Sequence, residues 1–137
     1  MKRILSFALV LTLAFALVLP VMAAENGQTI SPRYSYISML ETDLRINTSS
    51  GIATCGATCR TSGASSVKLV CRLQRYENKT WNTVYSWTST GTNIATITKQ
   101  RAVYSGYTYR TFTSCYVYNA SGALVEVGSI YSPQKVY

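Results

Sequence analysis

A chain of 137 residues with 13 basic residues, 5 acidic residues and no histidine carries a formal charge of +8 at neutral pH. Without imidazole it has no Ser-His or Cys-His couple and no imidazole metal ligand. Five carboxylates offer few choices for an acid–base pair, so composition points away from catalysis.

In chain order, Lys2 and Arg3 precede an apolar run from Ile4 to Leu19 that only Ser6 and Thr12 interrupt; Pro20 and the small residues Ala23 and Ala24 follow. That order predicts a secretory signal peptide over residues 1–24, cleaved after Ala23 or Ala24. The rival reading is an uncleaved anchor, because Ile4 to Ala24 is close to the ~20 residues that span a bilayer. Pro20 and the alanines favour cleavage. No second apolar run follows, so no transmembrane segment is expected in the mature chain. Cleavage would leave 113 residues, one small domain, with eleven basic residues against five acidic and a charge of +6. A basic exported protein meets anionic partners such as wall polymers, acidic glycans and lipid head groups. The alternative is that a moderate charge serves solubility alone. The basic residues of the mature part stand singly, with no run of four or more, which argues against a polybasic tail.

Residues 25–33 are polar, include Gly27 and Pro32, and read as a flexible arm. Beyond them no 3.6-residue apolar period appears. Seven runs rich in Thr, Val, Ile and Tyr predict strands at 36–46, 52–60, 67–76, 81–88, 94–103, 107–118 and 123–131. On the first, Tyr36, Leu40, Leu44 and Ile46 share one face and Glu41, Asp43 and Arg45 the other; on the third, Val67, Leu69, Cys71 and Leu73 oppose Lys68, Val70, Arg72 and Gln74. Glu77-Asn78-Lys79-Thr80 and Asn119-Ala120-Ser121-Gly122 read as hairpin loops. Seven such strands predict an all-β fold over residues 34–137, an immunoglobulin-like antiparallel β-sandwich, with a small barrel as the alternative.

Cys55, Cys59, Cys71 and Cys115 all lie in the exported part, and an even count outside the cytoplasm predicts up to two disulfides. Free buried thiols are the other reading. A metal site is not expected, since Cys-x3-Cys with distant partners and no histidine lacks the close paired spacings of structural zinc. Cys55 and Cys59, ~13 Å apart on one strand face, cannot bond each other. A link from Cys55 or Cys59 to Cys115 would join the second strand to the sixth and staple two sheets. Tyr107 or Tyr109, ahead of Cys115, is the candidate for a corner tyrosine that bonds nearby backbone.

Glu41 and Asp43 beside Arg45 read as a solvated strand edge rather than a catalytic pair. No Gly-rich phosphate loop occurs, and no cofactor is implied. The sequons at Asn47, Asn78 and Asn119 would predict surface glycans in a eukaryotic secretory pathway; the favoured reading is that a Ser/Thr-rich composition produces them. One surface stands out: if the third and sixth strands are neighbours, Lys68, Arg72, Arg110, Phe112, Tyr116 and Tyr118 share an outer face. Its rings could stack sugars or bases while its cations engage phosphates or carboxylates. Exposed strand tyrosines also occur without a ligand. Trp81 and Trp87 share parity on the fourth strand and are expected in the core.

The leader, Pro32-Arg33-Tyr34-Ser35-Tyr36-Ile37, Ser49-Ser50-Gly51-Ile52-Ala53-Thr54-Cys55, Leu73-Gln74-Arg75, Trp81-x-x-Val84-x-x-Trp87 and Tyr107-Thr108-Tyr109-Arg110 together resemble an uncharacterised family of small secreted β-sandwich proteins from Gram-positive anaerobic bacteria. The resemblance implies export, a β-sandwich and a bacterial source; it implies no substrate. The expected protein is a secreted, non-enzymatic β-sandwich that binds an anionic cell-wall polymer or glycan. The alternatives are an interaction or surface-assembly module that takes a surface protein, and a secreted toxin or antimicrobial, for which no amphipathic helix speaks. No specific nucleic-acid partner is expected. Lacking a Leu-Pro-x-Thr-Gly motif, the protein is expected in the medium or loosely attached to the wall.

Overall fold

β-Branched and aromatic side chains favour extended backbone because they pack well on a pleated, half-buried surface. In the computed structural model, which describes residues 33–137, they build an antiparallel all-β structure with no helix among the described residues. The predicted signal peptide and all of the predicted arm except Arg33 lie outside the described residues. The strands are β1 (Ile37–Asn47), β2 (Ile52–Thr61), β3 (Ser66–Glu77), β4 (Thr80–Gly91), β5 (Ile94–Ala102), β6 (Thr108–Tyr118), β7 (Leu124–Tyr131) and β8 (Lys135–Val136). The seven expected strands are present with ends displaced by at most three residues. β8 is too short to carry an alternation that a sequence reading could find.

One sheet has the order β1-β2-β5; the other runs β4-β3-β6-β7, with β8 paired to the start of β6. The β3–β4 hairpin turns on Asn78 and Lys79, whose φ values of 53° and 62° match the twist of the flanking strands. In the β6–β7 turn the Asn119 Oδ1 accepts from the N–H of Ser121 and of Ala123, both at 3.0 Å, and Gly122 supplies a φ of 79°.

The inner faces of the two sheets share one core. Val67, Leu69, Cys71 and Leu73 are all buried, as their alternation predicts, and pack with Leu44, Ala53, Ala57, Ile97 and Val117. Cys59 and Cys115 form a disulfide between β2 and β6, with Cα atoms 6.5 Å apart. This is the expected link from the second strand to the sixth; Cys55 and Cys71 are free thiols, so one bridge forms of the two that four cysteines allow. Both are fully buried and fill the core as small apolar side chains. The corner tyrosine is Tyr109, 1% exposed, whose hydroxyl donates to the Tyr104 carbonyl at 2.9 Å and accepts from its N–H at 3.1 Å.

Polar groups in the core are paired. Thr42 Oγ1 donates to the Gly56 carbonyl at 3.1 Å, accepts from Thr113 Oγ1 at 2.8 Å, and lies 2.8 Å from Thr111 Oγ1. The bonds to Thr111 and Thr113 cross between the sheets, and leaving any one hydroxyl alone there would cost about 1–3 kcal/mol.

Bulges revise two expected faces. In β1 the pairing passes from Ile37↔Thr61 to Met39↔Arg60, so Ser38 is an extra residue and Ile37, not Tyr36, enters the core ahead of Leu40. Tyr36 only packs against the core's margin. In β4 the pairing passes from Leu73↔Tyr85 to Gln74↔Thr83, so Val84 is extra and residues before it change sides. Trp87 stays with the core, but Trp81, opposite Tyr76, lies on the outer face. The expectation that both tryptophans are core residues therefore holds for Trp87 and fails for Trp81.

Glu126 pins the start of β1 to β7. Its carboxylate accepts from the N–H groups of Ser35 at 2.6 Å, Tyr36 at 3.0 Å and Ile37 at 2.7 Å. Burial pushes this carboxyl up, but the three N–H donors outweigh it and hold it below its ordinary 4.5. A depressed folded-state value makes the contribution complete above the ordinary value, and it is lost as pH falls through the folded-state value. Glu126→Gln should cost roughly 1–3 kcal/mol at neutral pH. In denaturant titrations from pH 7 to pH 2 the two proteins should converge on the acid side; a constant difference would show that the carboxylate charge is not responsible.

Candidate functional site

β3 and β6 pair along their length, and their register builds the outer face level by level. Gln74 stands beside Arg110, Arg72 beside Phe112, Val70 beside Ser114 and Lys68 beside Tyr116. The sheet continues on one side into β4, which adds Thr83, Ser86, Thr88 and Thr90 at these levels. On the other side β7 adds Tyr131, Ser129 and Val127. Residues two apart on a strand face the same way, so the alternation that buries Leu69, Cys71 and Leu73 turns Lys68 and Arg72 outward.

Across one end of this face runs a stack of rings and guanidinium groups drawn from four strands. The Arg110 guanidinium lies over the Trp81 ring and over the Tyr131 ring, each at 4.1 Å from the centroid. Tyr131 stacks on Phe112 with centroids 4.6 Å apart and planes 22° apart, and the Arg72 guanidinium lies 5.6 Å from the Phe112 centroid. Trp81 also packs on Tyr76 at 5.1 Å. Arg110 Nε donates to Gln74 Oε1 at 2.9 Å, and Arg72 Nη1 lies 3.4 Å from Ser114 Oγ. Each cation–π contact contributes about 0.5–1 kcal/mol at an exposed site. Together they hold two otherwise flexible arginines flat.

All six residues expected at the site, Lys68, Arg72, Arg110, Phe112, Tyr116 and Tyr118, fall on this one face. The structure divides them. Arg72, Arg110 and Phe112 join the stack, whereas Lys68, Tyr116 and Tyr118 sit at the far end beside the exposed Leu124 and Val127 of the edge strand β7. Trp81 and Tyr131 belong to the same face and were missed, whereas Gln74 and Tyr76 follow from the alternation along β3. Parity along β7 could have found Tyr131, since it shares a side with Val127 and Ser129. Trp81 gave no such signal, because only the bulge at Val84 turns it outward.

The ring faces are used differently from the sequence expectation. Phe112 and Tyr131 face each other and the guanidiniums, so the stack offers outward ring edges and guanidinium edges rather than open aromatic planes. Tyr116 and Tyr118 lie outside the stack.

No carboxylate lies on the outer face at the levels from Lys68 to Tyr76 among the described residues. The ion pairs among the described residues, Arg45 with Asp43 at 2.9 Å and Arg75 with Glu77 at 2.7 Å, both lie off this face. Asp43 is thereby engaged on the solvated edge strand β1. The face is thus a cationic strip with no internal counter-charge, a source of positive potential for whatever approaches it.

The free thiols do not add a reactive centre. Burial pushes the Cys55 thiol up to about 12, and nearby Cys71 and Asp43 add to the rise. Burial also raises Cys71, against the opposing pull of hydrogen bonds with Thr113 and Thr42 and the charge of Arg72. Both stay protonated at neutral pH, whereas a nucleophilic or metal-binding cysteine is a thiolate. No protein-family model matches the chain, and no curated protein shows significant similarity to it.

Proposed function

We propose that this is a secreted, non-enzymatic protein of the immunoglobulin-like β-sandwich type that binds an anionic polymer or glycan of the cell envelope. The strand order, the bond from Cys59 to Cys115 and the corner tyrosine Tyr109 support the fold reading. The observation that carries the binding reading is the acid-free outer face on which Arg72 and Arg110 are held flat by Phe112, Trp81 and Tyr131. A guanidinium stacked on rings keeps its charge and its N–H edges while giving up little conformational freedom on binding.

A second reading, a protein-interaction module, draws on Leu124 at 51% and Val127 at 47% exposure on the edge strand β7. The first is preferred because it uses the residues whose conformation the stack organises. The purified protein should be retained on isolated cell wall at low salt and released as salt rises. Arg72→Ala and Arg110→Ala should each weaken retention about tenfold, the loss expected for one charge-assisted contact. Absent retention, or retention indifferent to salt and to both substitutions, would remove the proposal.

A further inference from the structure

We infer that the polymer taken by this face is a flexible, ring-free, phosphodiester-linked polyanion rather than a uronate glycan or a single-stranded nucleic acid. This rests on the polyanion-binding reading above and narrows its ligand class.

The first argument is the spacing of charge. Arg110 is at the level of Gln74, Arg72 is one step along at its own level, and Lys68 is two steps further. With a rise of ~3.4 Å per residue and two residues per step, these levels are ~7 Å and ~14 Å apart. The level between Arg72 and Lys68 carries no cation: Val70 and Ser114 are buried there, and the exposed Thr88 and Ser129 flank them. A linear chain lying along β3 and β6 therefore meets positive charges in a single file, with the exposed hydroxyls of Thr88 on β4 and Ser129 on β7 to either side of the gap.

The second argument is what the rings no longer offer. A pyranose ring or a nucleobase is recognised largely by stacking on an open aromatic face. In the stack those faces hold guanidinium groups and each other, so a rigid ring gains little beside Arg72 and Arg110; Tyr116 and Tyr118, outside the stack at the Lys68 end, are half-buried. A polyol phosphate backbone has no ring to place. It needs cationic N–H donors for its phosphate oxygens and hydroxyl partners for its polyol, and this face provides both.

The third argument is the set of donors left over. Arg110 spends its Nε on Gln74 and keeps its terminal nitrogens, a planar pair suited to two oxygens of one phosphate.

The test measures binding of the purified protein to poly(glycerol phosphate), polygalacturonate and oligo(dT) of matched charge number, each at several salt concentrations. Poly(glycerol phosphate) should bind at least tenfold more tightly than the other two. Three contacted phosphates give a slope of log K against log salt of about −2, and Lys68→Ala should reduce that slope by about 0.7. Arg110→Lys, which retains charge but not the planar pair, should still weaken binding about tenfold. Lys68 is exposed, so its variant stays informative even if a change at Arg110 disturbs the stack. Equal or tighter binding of polygalacturonate or oligo(dT) would overturn the ligand class and leave the polyanion reading standing. Failure of all three probes to bind would overturn both.

Discussion

The double variant Cys59→Ala/Cys115→Ala should be less stable by about 4 kcal/mol, the loop-closure entropy released when a cross-link of this span is removed. The bridge closes a sequence separation of 56 residues and joins the two sheets. Without it the sheets are held together by the apolar core, by the bonds of Thr42 with Thr111 and Thr113, and by Glu126 on the start of β1. The check is the denaturation midpoint with and without reductant. Reductant should shift the wild-type midpoint by the same amount and leave the double variant unmoved. Intact mass after thiol labelling in denaturant should show two modified cysteines, Cys55 and Cys71. Four labelled cysteines in non-reduced protein, or no response to reductant, would contradict the bridge.

Gly91→Ala should cost about 3 kcal/mol, at the upper end of what overpacking costs in a well-ordered site. Gly91 ends β4 where the chain leaves one sheet and, through Thr92 and Asn93, starts β5 in the other. A Cβ built there would stand 1.9 Å from the Ile94 carbonyl oxygen, which is backbone and cannot swing aside. The crossing is further tied by the Thr61 N–H, which donates to the Asn93 carbonyl at 2.8 Å. Relief of the clash thus requires moving the start of β5 and straining that bond. Gly56→Ala is the matched control, because its Cβ would meet nothing nearer than 3.8 Å and an alanine suits a strand better than glycine. Comparable losses for the two variants would show that the crossing is not the cause.

The candidate face has a structural consequence as well as a proposed functional one. Arg110 reaches Trp81 from β4 and Tyr131 from β7, so one side chain helps hold both edge strands against the centre of their sheet. The cations that would meet a polyanion are thus fixed in place by contacts the protein makes with itself.

Much of this was legible in the sequence, and the reason is the two-residue period of a strand. Val67, Leu69, Cys71 and Leu73 alternate with Lys68, Val70, Arg72 and Gln74, so one face had to be buried whatever it packed against. The turn at Asn78 was equally readable, because asparagine is among the few residue types that tolerate positive φ, whereas the positive φ of Lys79 had no such signal. The same logic placed Lys68, Arg72, Arg110, Phe112, Tyr116 and Tyr118 on one side of their strands.

Sequence by itself therefore determined which segments are strands, which side of each central strand is apolar, and which cysteines were too far apart along one strand to bond each other. Tertiary structure alone decided that Cys59 and not Cys55 reaches Cys115, that Ser38 and Val84 are extra residues, and that Trp81 consequently turns outward. A bulge arises from how two strands pair, and no local pattern records it. The stack of Trp81, Arg110, Tyr131, Phe112 and Arg72 is likewise a property of four strands in register, since its members are remote in the chain and meet only when β4, β3, β6 and β7 lie side by side.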